Sequence, residues 1–436
     1  MSKLISFSIP LVLSANLQLL FNAVDIIVVG KFSGSEALAA VGSTTSLIHL
    51  IMNLFMGISL GTGVMAGRFY SMQDDKKMDE LVHTSITFAL ISGILVGVIG
   101  IFISDWALTL MSTPSDVFDK ATLYMKIYFL GMPFFMIYNY GAAILRAIGD
   151  TKRPLTFLVI AGIINAVLNM ILVIVFHLGV VGVAVATVVS QFISCVLVIR
   201  CLCEADGAYK FYFSKMRIKW RCLKRLFEIG LPAGIQSVVM NFSNVLLQSS
   251  VNSFGGIAMA GYTAANNIFG FLYATVNSFS QACMSFTSQN YGAKKCDRID
   301  KVIIDCIFLS VGITLVLGSS VYIFAEKLLG IYTQSPEVIQ CGIEIFRYTT
   351  ITYFICGIMD LFPGAMRGMG CSVIPMILSA VGTVGTRIFW IYAIFPLKHS
   401  LDFLFISYPL SWVVTVVLQV ICFYFVRKKA YKFIKE

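Results

Sequence analysis

Apolar stretches of about 20 residues recur along the whole chain, and they leave few folds open to it. A helix of that length crosses the ~30 Å hydrocarbon core of a bilayer, and unalternating runs favour helices over a barrel. Only 12% of the residues are charged, about half the share in a soluble domain. Breaks in hydropathy predict twelve spans, at residues 7–30, 38–67, 81–104, 119–145, 157–177, 180–200, 227–253, 258–290, 301–325, 338–366, 376–396 and 403–426.

The chain also repeats itself when it is shifted by 221–222 positions. Pro10 then falls on Pro232, and the Leu-Arg-x-x-Gly…Pro segment 145–154 falls on the Met-Arg-x-x-Gly…Pro segment 366–375. The shift covers six spans, and an even number makes the halves parallel repeats. We therefore predict an all-α polytopic membrane protein with two homologous six-helix lobes. The predicted N-terminal lobe, cytoplasmic linker and C-terminal lobe are residues 1–203, 204–226 and 227–436.

The basic residues are concentrated in alternate segments between the predicted spans. With a cytoplasmic N-terminus, most of the 32 basic residues fall in inner segments, so both termini are predicted to be cytoplasmic. The net charge of +10 is then a topology signal, and we expect no nucleic-acid partner. The basic, aromatic linker is expected to rest on anionic membrane lipid. The first apolar run, residues 7–29, is too long for a signal peptide and is predicted to span the membrane.

Enzymatic motifs are missing from the sequence. It has no Walker A, HExxH or GxSxG segment, and its four histidines are scattered. Cys201 and Cys203 lack the second ligand pair that a zinc site needs, so no metal or cofactor is expected. A secondary transporter driven by an ion gradient fits these features better than an intramembrane enzyme.

Ionisable residues inside a span are functional candidates, because a charge at helix centre costs at least ~2.5 kcal/mol. Asp25 ends a stripe formed by Ser14, Gln18 and Asn22, whose spacing places all four on one helix face. The repeat puts Leu247 at the position of Asp25, so the acid occurs in one half only. This favours a single proton or cation site in the N-terminal half. The alternative is an acid satisfied by neighbouring amides or by the outer interface.

Asp360 and Arg387 lie on the predicted tenth and eleventh spans, which run in opposite directions. Counted along the helices, their depths differ by an amount that an arginine side chain can cover. We predict a buried, structural pair, with a role in substrate binding or state switching as the alternative.

Polar residues also follow one face of the eighth span, which favours a wet cavity, although hydrogen bonds between helices would give the same pattern. The candidate cavity-lining residues are Gln18, Asn22, Asn244, Asn266, Tyr273, Asn277 and Gln281.

Together these motifs resemble the multidrug and toxic compound extrusion (MATE) family. The resemblance rests on Pro10, Asp25 fifteen residues later, the Gly-x-Phe-x-Gly of residues 30–34 and the duplicated Arg-x-x-Gly…Pro segments, and it covers about residues 9–425. It implies twelve helices in two six-helix lobes, and export of organic cations and other drugs by H+ or Na+ antiport.

A missing acidic residue indicates which branch of the MATE family the chain resembles. NorM-like members place a Glu in the seventh helix, where this chain reads Val-Met-Asn-Phe at residues 239–242. The chain is therefore more similar to the DinF-like branch, which implies a coupling pocket in the N-terminal lobe and a kink of the first helix at Pro10. By that resemblance the pocket residues are Asp25, Tyr124, Asn165, Asn169 and Thr187.

Asn169 departs from the branch, which often has a second Asp there. Fewer negative ligands weaken a Na+ site more than a proton site, so the prediction favours H+. The expected protein is a monomeric antiporter of a bacterial cytoplasmic membrane that exports small, cationic amphiphiles and uses no cofactor beyond the H+ (or Na+) gradient. The alternative is a lipid-linked-oligosaccharide flippase of the same superfamily. Such flippases usually carry several deep basic residues, where this chain has Arg387 alone.

Overall fold

The apolar runs form helices, which satisfy their own backbone groups as lipid requires. The computed structural model describes residues 1–111 and 113–435, and the side chains of all of these except Ser35 and residues 433–435. No β-strand occurs in this described part of the chain. The first six long helices are α1 (Ser2–Phe32), α2 (Gly34–Ser71), α3 (Asp75–Leu110), α4 (Ser115–Leu130 with Met132–Ala147), α5 (Lys152–Asn169, continued by the π-helix Met170–Val175) and α6 (Gly179–Cys203).

The second six helices repeat this order, with one short helix before them and two between them. They are α7 (Trp220–Asn252), α8 (Gly256–Gly292), α9 (Cys296–Ile323), α10 (Pro336–Thr349 with Tyr353–Gly368), α11 (Val373–Leu397, of mixed helix type) and α12 (Ser407–Lys435). The short helices are Phe213–Lys215, Ala325–Gly330 and Leu401–Phe405. Within the described residues, each of the twelve predicted spans therefore has its helix, and the predicted fold class is confirmed.

Length and composition identify most of these helices as membrane spans. Eight helices are each long and apolar enough to cross a membrane. The two segments of α4 and the two of α10 are long and apolar enough when each bent pair is taken as one span, with bends of 45° and 56°. The other two, α7 and α8, contain 33 and 37 residues, which is ample at 1.5 Å per residue, but polar side chains lower their hydropathy. The most polar spans are thus the first two of the second half.

Contacts divide the chain into two compact units. One contains Ile9–Leu231, and the other contains Met1–Ser8 with Pro232–Glu436. Both divisions fall inside a helix next to an internal proline, Pro10 of α1 and Pro232 of α7. Proline removes one helical hydrogen bond, so each boundary coincides with a weakened turn.

The repeat seen in the sequence is reproduced in the backbone of the turns. Positive φ angles occur in pairs 221 residues apart: Gly34 (84°) with Gly255 (92°), Gln73 (54°) with Lys294 (57°), and Gly149 (101°) with Gly370 (85°). After the third pair, an amide bonds the carbonyl five residues back, from Asp150 to Leu145 and from Cys371 to Met366, both at 2.9 Å. These are Schellman caps, and glycine at the left-handed position is what the duplicated Arg-x-x-Gly segment provides.

Close helix contacts fix the two bends, again in equivalent places. A Cβ atom added to Gly97 of α3 would lie 2.8 Å from the carbonyl oxygen of Phe129, just before the break in α4. One added to Gly318 of α9 would lie 2.4 Å from the carbonyl oxygen of Thr350, at the break in α10. Only glycine allows backbones to approach so closely.

The segment between α6 and α7 packs on α3. The ring of Phe211, 1% exposed, stacks on buried His83 with centroids 5.3 Å apart. The amide of Tyr212 donates to Nε2 of His83 at 3.1 Å, and Nδ1 of that ring lies 2.8 Å from the carbonyl oxygen of Asp79. The basic side chains of Lys215 and Arg217 approach the Asp79 carboxylate at 3.6 and 3.8 Å. This segment is therefore tied to the end of α3.

Candidate functional site

The carboxylate of Asp25 lies within the Ile9–Leu231 unit against the far end of α5. Nδ2 of Asn169 donates a hydrogen bond to Oδ1 of Asp25 and a second, at 3.2 Å, to Oδ1 of Asn165. The two asparagines are 0% and 5% exposed, because the spacing of four residues turns both toward the same interior face of α5. Asp25 itself is half-buried.

The helix that carries the two amides changes type at this point. Asn169 is the last α-helical residue of α5, and the π-helix Met170–Val175 begins at the next residue. The equivalent helix of the other half, α11, also becomes π-helical one repeat later, at Trp390–Ile394. Single π-turns often mark functional positions, because the wider turn redirects the side chains at its edge.

The remaining predicted pocket residues surround Asp25. The hydroxyl of Thr187 on α6 lies beside its carboxylate. The buried ring of Tyr124 on α4 is close enough to interact with its charge, and so is the ring of Tyr128. The two tyrosine centroids are 6.0 Å apart. Tyr128 was not predicted, although its spacing of four residues from Tyr124 is a signal that could have found it.

One acceptor of this cluster is left open. Oδ1 of Asn169 is buried and has no hydrogen-bond partner among the described residues. A buried unpartnered acceptor costs about 1–3 kcal/mol, so the site is incomplete with an ionised carboxylate alone. With the amide of Asn169 turned over, a protonated Asp25 carboxyl is able to donate to this oxygen.

The other residues of the α1 stripe are more open. Gln18 is partly exposed and Asn22 is exposed, whereas Ser14 donates to the carbonyl oxygen of Pro10 at 2.7 Å. Pro10 lies inside α1, which continues on both sides of it.

Arg387 is the most buried charge of the other unit, at 3% exposure. Its Nε donates to Ser411 at 3.2 Å, and its Nη1 donates to Ser243 and to Oδ1 of Asn244, both at 3.1 Å. Its guanidinium carbon lies 4.6 Å from the ring centroid of Tyr408. These partners come from α7 and α12, so Arg387 connects three helices.

The predicted pair between Asp360 and Arg387 is not formed and needs correction. Asp360 on α10 instead approaches the hydroxyl of Tyr273 and the charge of Arg367, and its Oδ2 is buried without a partner among the described residues. Arg387 forms no salt bridge in the described part of the chain. The direction in which each side chain faces is what differs from the prediction. The π-helical turn Ala380–Gly385 precedes Arg387 and rotates it away from the direction that a regular helix would give.

The predicted polar face of α8 is partly open. Gln281 donates to Asn277 at 2.8 Å, and both are partly exposed, as is Asn266. Tyr273 is 45% exposed, and Asn244 on α7 is also exposed. Among the described residues, no three His, Cys, Asp or Glu side chains come together as a metal site would require.

Comparison with known proteins identifies the architecture. The MatE family model matches residues 10–171 and matches again at residues 232–393, once in each half of the repeat. The chain belongs to the MATE family. It is therefore a multi-pass membrane protein of a transporter family, and the resemblance found in the sequence is confirmed.

Relatives within the MATE family span nearly the whole chain. The probable multidrug resistance protein YoeA of Bacillus subtilis is 28% identical over 434 residues, covering 97% of this chain and 93% of its own. The multidrug export protein MepA of Staphylococcus aureus is 22% identical over 380 residues, covering 86% and 84%.

Solved structures share the fold. An outward-facing multidrug resistance MATE transporter of the MOP superfamily matches with a TM-score of 0.90 at 22% identity, over 100% of this chain and 96% of that chain. A MOP superfamily transporter from Pyrococcus furiosus, described as having a binding pocket of reversed polarity, matches with a TM-score of 0.91 at 22% identity over the same shares. The assignment to the DinF-like branch stays a prediction.

Proposed function

We propose that this MATE-family chain is an antiporter that exports small organic compounds, chiefly cationic amphiphiles, in exchange for protons bound at Asp25. The names of YoeA and MepA, which refer to multidrug resistance and export, support this class of substrate. Tyr124, Asn165, Asn169 and Thr187 complete the coupling site in this proposal, and Pro10 is the point at which α1 bends.

The observation that carries the proposal is the pairing of Asp25 with the Asn169 amide. Nδ2 of this amide donates to the carboxylate, while its own Oδ1 is buried and has no partner in the part of the chain that the structure describes. If the amide turns over, the same group accepts a hydrogen bond from a protonated carboxyl. The cluster therefore offers a partner to both protonation states of Asp25, which is what a residue that loads and releases a proton requires.

The same cluster favours H+ over Na+. A Na+ site gains affinity from each negative ligand, and here a neutral amide stands beside the single carboxylate.

Proton and substrate transport are coupled in this proposal because the two ligands compete for Asp25. A proton or a cationic substrate can neutralise Asp25, and each ligand shifts the inward–outward equilibrium only through its different affinity for the two states. Pro10 lacks the N–H that would bond the preceding turn, so α1 can bend there at a lower cost than elsewhere.

The test of this proposal separates the two gradients. Purified protein in liposomes is loaded with a fluorescent organic cation, and either a pH gradient or a Na+ gradient is imposed. We expect efflux with the pH gradient in Na+-free buffer and little response to Na+ alone. Efflux that needs Na+ at constant pH would refute proton coupling.

Replacing Asn169 by Asp is expected to increase the Na+ dependence of transport. The change adds a second carboxylate next to Asp25 and keeps the shape of the side chain, so cation affinity rises with ligand charge. The measurement is efflux against Na+ concentration at constant pH. Asn139→Asp serves as control, because Asn139 is also buried but bonds the carbonyl oxygen of Phe135, outside the cluster. An unchanged Na+ response in Asn169→Asp would contradict the ligand assignment.

We further propose that both termini are cytoplasmic. Single-cysteine variants that keep only Cys203 or only Cys296, both partly exposed, should react with an impermeant maleimide only after the cells are permeabilised. Gln334→Cys, in the exposed turn before α10, should react in intact cells. Labelling of Cys203 or Cys296 from outside would reverse the orientation.

A further inference from the structure

Arg387 is a buried cation for which the described residues provide no counter-charge. It is 3% exposed, lies inside the α11 span, and forms no salt bridge in the described part of the chain. Its three hydrogen bonds go to two hydroxyls and one amide, which solvate a guanidinium but do not neutralise it. Burying such a charge is costly unless an anion accompanies it.

The guanidinium keeps hydrogen-bond donors that are available to such an anion. The hydrogen bonds use Nε and both N–H groups of Nη1, so within the described contacts the two N–H groups of Nη2 remain. Tyr408 covers one face of the group at 4.6 Å. Asn244, which accepts a hydrogen bond from Nη1, has an exposed side chain, so one of the groups around the guanidinium lies at the surface of the unit.

The repeat sharpens the contrast between the halves. The acid Asp25 faces amides from the fifth helix of the first half, whereas in the second half the charge is basic and is carried by the fifth helix, α11. Asn244 aligns with Asn22 of the first half, while Leu247 stands where Asp25 would be. The second half therefore keeps the polar framework and reverses its charge.

We propose that Arg387, with Ser243, Asn244 and Ser411, forms a binding site for a monovalent anionic group. The group is either the carboxylate of an organic substrate or a free inorganic anion such as chloride. Guanidinium binds carboxylate through paired N–H donors, and a charge-assisted contact of this kind is about twice as strong as a neutral one. For a carboxylate substrate the site extends the proposed function from cations to zwitterions, and in that form it rests on the proposed function.

A purely structural role would also explain why Arg387 connects α7, α11 and α12. The two roles differ in one respect, because only a binding site distinguishes a ligand with a carboxylate from the same ligand without it. The experiment therefore compares a rhodamine that bears a free carboxylate with the methyl ester of the same dye. Binding to the full, detergent-solubilised chain is measured by fluorescence anisotropy in HEPES buffer that contains neither chloride nor any carboxylate.

The key variant is Asn244→Asp. It places a carboxylate where an amide oxygen now lies 3.1 Å from Nη1, so the protein neutralises its own arginine without losing the hydrogen bond. The ratio of the Kd of the ester to the Kd of the acid should fall about tenfold from wild type to Asn244→Asp, the low end for a hydrogen bond to a charged group. Asn252→Asp, exposed near the end of the same helix, should keep the wild-type ratio. Arg387→Gln should lower the ratio as well, and Asn244→Asp decides the question if that variant does not fold.

Chloride distinguishes the two sources of the anion. If chloride weakens binding of the acid dye in wild type but not in Asn244→Asp, the site takes inorganic anions too. If chloride has no effect and the acid preference remains, the site is specific for organic carboxylates. Equal ratios in wild type and Asn244→Asp, together with no effect of chloride, would overturn the proposal.

The experiments distinguish a failure of the anion-site proposal from a failure of the proton-coupling proposal. The binding measurement uses no gradient, whereas pH-driven efflux of the ester dye tests coupling without involving a carboxylate.

Discussion

Replacing Asp25 by Asn should reduce pH-driven efflux to the leak rate of protein-free liposomes. The amide keeps the size of the side chain and its hydrogen-bonding capacity toward Asn169, but it cannot take up or release a proton. Because the proposed exchange depends on neutralisation of this one group, no residual coupling is expected. The measurement is dye efflux after a pH jump in liposomes with matched amounts of folded protein.

The matched control is Glu36→Gln. Glu36 is another carboxylate of the same unit, but it is exposed and paired with Lys120. Its removal should leave the rate within about twofold of wild type, since exposed pairs contribute little. Pumping by Asp25→Asn at the wild-type rate would place coupling elsewhere. Asp360, whose Oδ2 has no partner among the described residues, would be the next candidate.

Replacing Gly318 by Ala should destabilise the protein, whereas the same change at Gly312 of the same helix should not. A Cβ at Gly318 would lie 2.4 Å from the Thr350 carbonyl oxygen, and backbone cannot move aside as a flexible side chain can. Overpacking of this kind costs about 1–3 kcal/mol. At Gly312 an added Cβ meets nothing within 4 Å, so the better helix propensity of Ala makes that change neutral or slightly stabilising.

Thermal unfolding of both variants in detergent measures this difference. We expect a lower Tm and a smaller folded fraction for Gly318→Ala, and values at or above wild type for Gly312→Ala. Equal Tm values for the two variants would show that the contact between α9 and the bend of α10 is not as close as described.

Much of the fold could be predicted because membrane spans and repeats leave strong one-dimensional signals. A long apolar run in lipid has to be helical, because its backbone groups have no water to bond. The offset of 221 residues found in the sequence is also the spacing of equivalent turns, such as those at Gly149 and Gly370. The bends in α4 and α10 could not be predicted. They depend on Gly97 and Gly318 meeting carbonyl groups of other helices, and no local pattern records such a contact.

Only part of the candidate site could be predicted from the residue pattern alone. The stripe on α1 indicated Asp25 directly. Its partner Asn169, and Asn165 which bonds Asn169, followed only from the family resemblance, since helical spacing does not say which helices are neighbours. The Asp360–Arg387 pair failed for a related reason. Residue counting gives depth, whereas the π-turns of α11 change which way Arg387 faces. The open acceptor on Asn169 is visible only when burial is known.

The central claim is that proton and substrate movements are obligatorily exchanged through Asp25, and reversing the driving force tests it most directly. Liposomes containing the protein and a trapped pH-sensitive dye, with no initial pH or Na+ gradient, are given a gradient of organic cation. The account predicts that the substrate gradient moves protons in the opposite direction in wild type and moves none in Asp25→Asn. A substrate gradient that dissipates without proton movement in wild type, or with equal movement in Asp25→Asn, would contradict it.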